Sequence, residues 1–343
     1  MSQKFSAAPR LTGRMLSLAP LQTTASGAAR AKSESLCGPQ ICRRMFADQC
    51  LRMGTVKLVV PCRFIATKCQ LMLAIKIGLI GAGRMATALG RGFVGAKLIP
   101  SSALVASDPQ QTARAAFERE VPGAKLVAEN GPDFTHCDVV ILAVKPQLMK
   151  TVLAEVRGVV RPDALVVSIA AGVTLAGLAA GLPPGQRIIR VMPNTPCLIG
   201  RGASAYALGP TATAEDGRLV AQLLAAVGVA HEVPETQLDA VTGLSGSGPA
   251  FVYTMIELLA EGGKEVGLPA ELAENLAAHT VAGAAEMVLA TGETPAVLRD
   301  RVTSPGGTTL AGLKALEENA FHTAVLAAVR AATRRSAELG KSS

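Results

Sequence analysis

The six residues Gly81-Ala82-Gly83-Arg84-Met85-Ala86 stand between an apolar run and a helix-forming one. Glycine at the first position permits a tight turn, and glycine at the third lets a pyrophosphate approach the backbone. Alanine at the sixth lets the following helix pack closely. The N-terminus of that helix would add free N–H groups and the positive end of its dipole. Dinucleotide binding is the expectation. A second apolar run ends at Ser107-Asp108-Pro109. A carboxylate there accepts a hydrogen bond from a free ribose 2′-hydroxyl and repels a 2′-phosphate, so Asp108 by itself points to NAD(H). Ser107 and Arg114 could equally meet a 2′-phosphate, and Asp108 could do no more than open a turn before Pro109. The residues leave these readings open.

Three more stretches follow predicted strands, where the C-terminal edge of a parallel sheet lines the ligand crevice. They are Ala143-Val144-Lys145-Pro146, Ala170-Ala171-Gly172 and the run from Arg190 to Pro196. Lys145 reads equally as a surface lysine or as a cofactor-edge residue, and Asn194 equally as a turn former or a site residue. In Thr242–Tyr253, Ser247 as a helix cap and Pro249 in the first turn account for two residues. The three glycines there suggest close backbone approach by something flat, such as a nicotinamide ring. Last, Ser304-Pro305-Gly306-Gly307-Thr308-Thr309 precedes an apolar-periodic run. It reads either as a joint between helices capped by threonine or as a cup of N–H groups for an anion.

The absences carry information as well. His136, His231, His279 and His322 are scattered, without the spacing of metal ligands, and no carboxylate pair is placed for glycoside chemistry. A redox enzyme whose cofactor carries the chemistry needs none of these.

To position such stretches the chain needs a sheet. From Ala74 to about Val233, the segments 75–81, 103–107, 138–144 and 164–170 are continuous apolar runs, the pattern of strands buried on both faces of a parallel sheet. Segments 187–193 and 203–209 add further strands, with Ala86–Phe93 and Gln110–Arg119 among the helical crossovers. This predicts a Rossmann-type, doubly wound α/β domain over residues 72–234. From Glu235 onward the strands stop. Pro249–Val266, Ala270–Ala290, Thr294–Val302 and Thr308–Glu338 read as helices of an all-α domain over residues 235–343. Their Ala- and Gly-rich faces allow close contact, and so much apolar surface predicts an obligate homodimer.

Charge and cysteine separate residues 1–71 from the rest. They hold 11 Lys or Arg and 2 Asp or Glu, out of 34 and 26 in the whole chain, so the remainder is close to neutral. That argues against nucleic-acid binding by the body of the protein. Five of the seven cysteines also lie there, in no metal-ligand spacing, and the two others suit a reducing compartment. The Ser-, Ala- and Arg-rich composition is that of an organellar transit peptide, while Met72 reads as an ordinary start after a mis-called upstream one. Either way the segment is expected to be disordered and outside the fold. Location is expected to be cytoplasmic, or organellar if the segment is a transit peptide. Ala164–Gln186 carries no charge over a bilayer's length, yet its glycines and β-branched run fit a strand, a turn and a short helix capped by Thr174 better than a membrane span.

The segments beginning at Gly78, Ala143, Ser168, Arg190, Asp239 and Leu298, ending in the 298–317 block around Ser304–Thr309, together closely resemble pyrroline-5-carboxylate reductases. The likeness runs in order from Ile75 to Leu339. The resemblance implies reduction of Δ1-pyrroline-5-carboxylate to L-proline with NADPH or NADH, in a homodimer that could build a higher oligomer, with no metal, nucleic acid or membrane. It implies a phosphate loop of Ile80, Gly81, Ala82, Gly83, Arg84 and Met85, with Ser107, Asp108 and Asn130 on the adenosine side. Ala143, Val144, Lys145, Pro146, Ile169 and Ala171 would lie on the nicotinamide side. Glu235, Arg301, Ser304, Gly306, Gly307, Thr308 and Thr309 would contact substrate, Thr309 as the catalytic residue, with the loop supplied by the partner subunit. Some relatives have Ser at Asp108 and Asn at Arg301. An imine or β-hydroxyacid reductase of the same architecture, or a non-catalytic dinucleotide-binding protein, is the alternative.

Overall fold

The computed structural model describes residues 72–341; the expectations for residues 1–71 lie outside the described residues. Eight strands form one sheet: β1 (Ile77–Ile80), β2 (Leu104–Ser107), β3 (Lys125–Val127), β4 (Val139–Leu142), β5 (Leu165–Ser168), β6 (Arg187–Met192), β7 (Gly202–Leu208) and β8 (Gly228–Glu232). Their order is β3-β2-β1-β4-β5-β6-β7-β8. All neighbours are parallel except β6 and β7, which run antiparallel. Helices α1 (Arg84–Gly95), α2 (Gln111–Glu120) and α5 (Ala214–Ala225) cover one face, and α3 (Met149–Val156) and α4 (Leu175–Gly181) the other.

The apolar runs become strands because every residue of β1, β4 and β5 is buried, and side chains two apart share a face. Leu79, Ile141 and Val167 enter one core, while Ile80, Leu142 and Val166 enter the other. Chain order reverses between β1 and β4, which makes the crevice beyond their C-terminal ends the topological switch point. The register then aligns the strand ends. Ser107, Ile80, Leu142, Ser168 and Arg190 form one row across β2, β1, β4, β5 and β6. The residues that follow β2, β1, β4 and β5 are thereby held at the same level, while β6 runs two residues further.

Beyond β8 the chain is helical: α6 (Leu238–Val241), α7 (Gly248–Glu265), α8 (Ala270–Thr291), α9 (Pro295–Arg301), α10 (Thr308–Glu318) and α11 (Phe321–Lys341). The single helix expected from Thr308 to Glu338 is broken at Asn319-Ala320, where Ala320 takes φ +57°. Ser247 stands at the N-cap of α7, as expected, but its side chain makes no capping hydrogen bond. It lies in helical conformation at the end of a π-type turn, Thr242–Gly246, that joins α6 to α7, with its amide donating to Thr242 O at 2.8 Å. Two of the three glycines there answer to packing, while Gly248 has nothing within 4 Å of a would-be Cβ. A Cβ on Gly243 would stand 2.1 Å from Thr333 Oγ1 of α11, and one on Gly246 2.4 Å from Met192 Cε.

The helical half has little interior of its own: Ala260, Ala273 and Ala277 are its only separate buried apolar cluster among the described residues. Val266, Leu289 and Tyr253 are 83%, 79% and 62% exposed. Gly262, Gly283 and Gly312 sit inside helices with no intrachain atom near a would-be Cβ. Each costs such a helix about 1 kcal/mol relative to alanine. Among the described residues no helix is long and apolar enough to cross a membrane, and Ala164–Gln186 forms β5, a turn, α4 and the approach to β6.

Candidate active site

At the switch point lies a cleft of about 830 Å³, walled by the loops after β1, β2, β3 and β4 and by α3. Of the residues singled out from the sequence, Ile80, Gly81, Gly83, Ser107, Asp108, Asn130, Ala143, Val144 and Lys145 line it. Gly81 takes φ +97°, and a Cβ on it would lie 2.8 Å from the Ala143 carbonyl oxygen. The turn therefore needs glycine, both for the left-handed backbone and for the neighbouring strand end. Gly83 differs. It is the N-cap of α1, no side chain caps that helix, and nothing of the chain lies within 4 Å of its would-be Cβ. The helix end and the space before it stay open toward the cleft, which fits a pyrophosphate. Ala82 and Met85 do not line the cleft; they pack toward the core, so Ala82 acts there through its backbone.

Asp108 is fixed through both carboxylate oxygens. Oδ2 accepts the Ala82 amide at 3.1 Å and Oδ1 the Gln110 amide at 2.9 Å. It therefore opens the turn before α2 and is tied to the glycine loop as well. Arg114 Nη1 donates to the Asp108 and Pro109 carbonyls at 2.5 and 3.1 Å. Ser107 Oγ donates to Asn130 Oδ1 at 2.5 Å, and Asn130 Nδ2 donates to Glu155 Oε2 at 2.6 Å. Glu155 on α3 and Glu129 after β3 line the cleft without having been singled out from the sequence. Only topology brings them there, since neither belongs to a local motif.

Ile169 and Ala171 lie beyond the cleft's lining, on the next strand end of the same row. The expected cap of α4 is present, with Thr174 Oγ1 accepting the Gly177 amide at 3.1 Å. The Leu175 amide, at the start of the same helix, donates to Glu235 Oε1 at 2.6 Å. Arg190 on β6, a buried cation at the head of the 190–196 run to which the sequence gave no role of its own, donates to the same oxygen at 3.2 Å. Glu235 Oε2 has no partner among the described residues. Arg190 also faces Asp239 at 3.6 Å, and Ser336 of α11 donates to Asp239 at 2.7 Å.

The remaining residues stand apart from the cleft in the single chain. Ser304-Pro305-Gly306-Gly307 is a β-turn, the Gly307 amide donating to Ser304 O at 3.0 Å, with Gly306 at φ +71°. Proline at the second position and a left-handed glycine at the third are the type II pattern. Gly306 needs glycine for its left-handed backbone, while a Cβ on Gly307 would meet the Ser304 Oγ at 2.3 Å, a side-chain end that rotation can move. The threonines do not cap: Gly307 is the N-cap, and Thr308 and Thr309 are the first residues of α10, with no side chain on its free amides. Arg301 is forked onto Glu293 at 2.5 and 2.6 Å. Cys137 and Cys197 are buried, and burial pushes both thiols up, Cys137 to about 11. Neither is poised as a nucleophile.

Residues 235–339 match the model of the pyrroline-5-carboxylate reductase dimerisation domain, and residues 76–172 that of the coenzyme F420-dependent NADP oxidoreductases. A pyrroline-5-carboxylate reductase of Arabidopsis thaliana is 45% identical over 271 residues, 78% of this chain and 97% of the relative. Pyrroline-5-carboxylate reductase 3 of Mus musculus is 43% identical over 266 residues, 78% of this chain and 96% of the relative. Among solved structures, the Plasmodium falciparum pyrroline carboxylate reductase with NADP bound aligns with TM-score 0.71 and 34% identity, over 78% of this chain and 99% of that one. The Coxiella burnetii pyrroline-5-carboxylate reductase aligns at 0.73 and 33%, over 78% and 99%. With identity at this level along nearly the full length of its relatives, the chain belongs to the pyrroline-5-carboxylate reductase family.

Proposed function

We propose that the protein reduces Δ1-pyrroline-5-carboxylate to L-proline with NAD(P)H, the last step of proline biosynthesis. The observation that carries this reading is the open α1 N-terminus at Gly83, facing a cleft at the switch point, in a chain that also carries the uncapped Ser304–Thr309 turn. NAD(P)H, when bound, supplies a hydride from C4 of its nicotinamide. The chain's own residues bind and orient. Gly81, Gly83 and the first amides of α1 hold the pyrophosphate. Ala143–Pro146 and Ile169 with Ala171, at the aligned strand ends, seat the nicotinamide half.

The substrate is a cyclic imine bearing a carboxylate. Once protonated on nitrogen it is already a good hydride acceptor, so the enzyme's work is orientation rather than strong acid catalysis. The free amides at Thr308 and Thr309 bind the carboxylate at the start of α10. The Thr309 hydroxyl hydrogen-bonds the ring nitrogen, and the unpaired oxygen of Glu235 favours its protonated form. Arg301, held by Glu293, braces α9 ahead of the turn. Because the turn stands apart from the cleft of its own chain, the loop of one subunit serves the cofactor of the other in a homodimer. The exposed apolar faces of α7 and α8 are the surfaces such a dimer would cover.

Oxidation of NADH and of NADPH by the full chain, with pyrroline-5-carboxylate set against a panel of 2-ketoacids and other cyclic imines, tests the reading. Turnover confined to pyrroline-5-carboxylate and close analogues is expected. Faster turnover of a ketoacid would replace this assignment with another reductase of the same architecture.

A further inference from the structure

We infer that Asp108 makes this cleft selective for a dinucleotide with a free adenine-ribose 2′-hydroxyl, NADH, over its 2′-phosphorylated counterpart. The inference rests on the cofactor reading above and narrows it. The carboxylate follows the last residue of β2 and is held on both oxygens, by the Ala82 amide at 3.1 Å and the Gln110 amide at 2.9 Å. Ala82 lies inside the glycine loop, so the carboxylate is anchored to the segment that would hold the pyrophosphate and cannot swing away from the adjoining ribose. Each oxygen keeps a further lone pair for a ribose hydroxyl. A 2′-phosphate at that place would meet a fixed negative charge instead.

No arginine lines the cleft among the described residues. Arg114 spends one guanidinium nitrogen on the Asp108 and Pro109 carbonyls, and neither Arg114 nor the exposed Arg84 lines the cleft. The Ser107 hydroxyl donates to Asn130, and Asn130 in turn donates to Glu155, so the two neutral donors beside Asp108 already have acceptors. The wall is acidic overall: Asp108, Glu129 and Glu155 line it, against the single cation Lys145, which follows β4 rather than β2. Geometry and charge therefore favour the hydroxyl and disfavour the phosphate independently.

The test is equilibrium binding of the full chain to NADH and to NADPH, followed by the emission of the nucleotide, since the chain has no tryptophan. NADH is expected to bind at least tenfold more tightly than NADPH. Asp108→Asn, which removes the charge and keeps a carbonyl oxygen for one of the two amides, should narrow that ratio severalfold, and Asp108→Ser should narrow it further. NADPH binding as tightly as NADH in the unmodified chain would overturn the inference and leave the reductase reading intact. A ratio unmoved by both substitutions would also overturn it. If neither nucleotide binds, the cofactor reading fails and this inference with it.

Discussion

Arg190 Nη1 and the Leu175 amide converge on one oxygen of Glu235, at 3.2 and 2.6 Å, and the other oxygen of that carboxylate has no partner among the described residues. Arg190 is 4% exposed and also faces Asp239, which accepts a hydrogen bond from Ser336. One buried cation thus joins β6, the start of α4, the entry to the helical half and α11. Removing it leaves two carboxylates without their shared cation, with water reaching them only in part. Arg190→Met should destabilise the fold by about 2–4 kcal/mol, the lower end reflecting that both acids keep some contact with water. Arg190→Lys should lose clearly less. Urea unfolding of the three proteins measures this, and equal midpoints would show that the joint carries no weight.

The two glycines of the phosphate loop should behave differently when replaced. Gly81→Ala meets the Ala143 carbonyl at 2.8 Å in a left-handed backbone, so both thermal stability and dinucleotide affinity should fall. Gly83→Ala meets nothing in the chain, so it should melt within about 2 °C of the parent while losing roughly tenfold or more in dinucleotide affinity. Calorimetric titration alongside thermal unfolding separates the cases. Unchanged affinity in Gly83→Ala would remove the reason given for its open surroundings.

Thr309→Ala should lower kcat/KM for pyrroline-5-carboxylate by roughly one to two orders of magnitude, the loss of ~1.4–3 kcal/mol of transition-state stabilisation. Thr309→Ser keeps the hydroxyl and should retain most of the activity. Unchanged kinetics in the alanine variant would sink the role given to this group.

Crossing of the loop between subunits can be tested by mixing defects. Coexpression of Gly81→Val and Thr309→Ala chains yields hybrid dimers in which, if the loop serves the other chain, one site is intact and the other carries both defects. Activity should recover to about a quarter of the parental value, from half the dimers being hybrid with one good site each. No recovery above the separate variants would place the loop over its own chain's cofactor.

Buried thiols make a chemical prediction. With the Cys137 thiol pushed up to about 11 and that of Cys197 also raised, both by burial, neither should be alkylated in the native protein at pH 8. Above about pH 9 the unfolded chain releases these protons while the folded chain retains them, so stability should decline as pH rises from there toward 11. Peptide mapping after iodoacetamide treatment checks the first statement, and unfolding midpoints across that range check the second.

What the sequence made legible follows physical lines. β1, β4 and β5 were readable because strands buried on both faces leave uninterrupted apolar runs. β3, three residues at the sheet edge beginning with the exposed Lys125, has too little burial to leave a pattern, and β8, the other edge strand, ends in the exposed His231 and Glu232. The break between α10 and α11 rests on a left-handed alanine, a residue that gives no turn signal. In the candidate site, the glycine loop and the Ser304–Thr309 turn were legible because backbone geometry dictates their residue types. Arg190, Glu129 and Glu155 were not, since their placement depends on strand register and helix packing between distant segments. Of the three glycines of Thr242–Tyr253 that looked like room for a ring, Gly243 and Gly246 make room for Thr333 and Met192, and Gly248 alone stays open.

The most direct test of the central claim is the fate of the transferred hydrogen. The full chain would be given pyrroline-5-carboxylate with NAD(P)H deuterated at C4 of the nicotinamide on the transferred face. The predicted product is L-proline carrying one deuterium at C5, formed in equal amount to the nucleotide oxidised. Tight nucleotide binding without oxidation, or oxidation without deuterium in proline, would contradict the account.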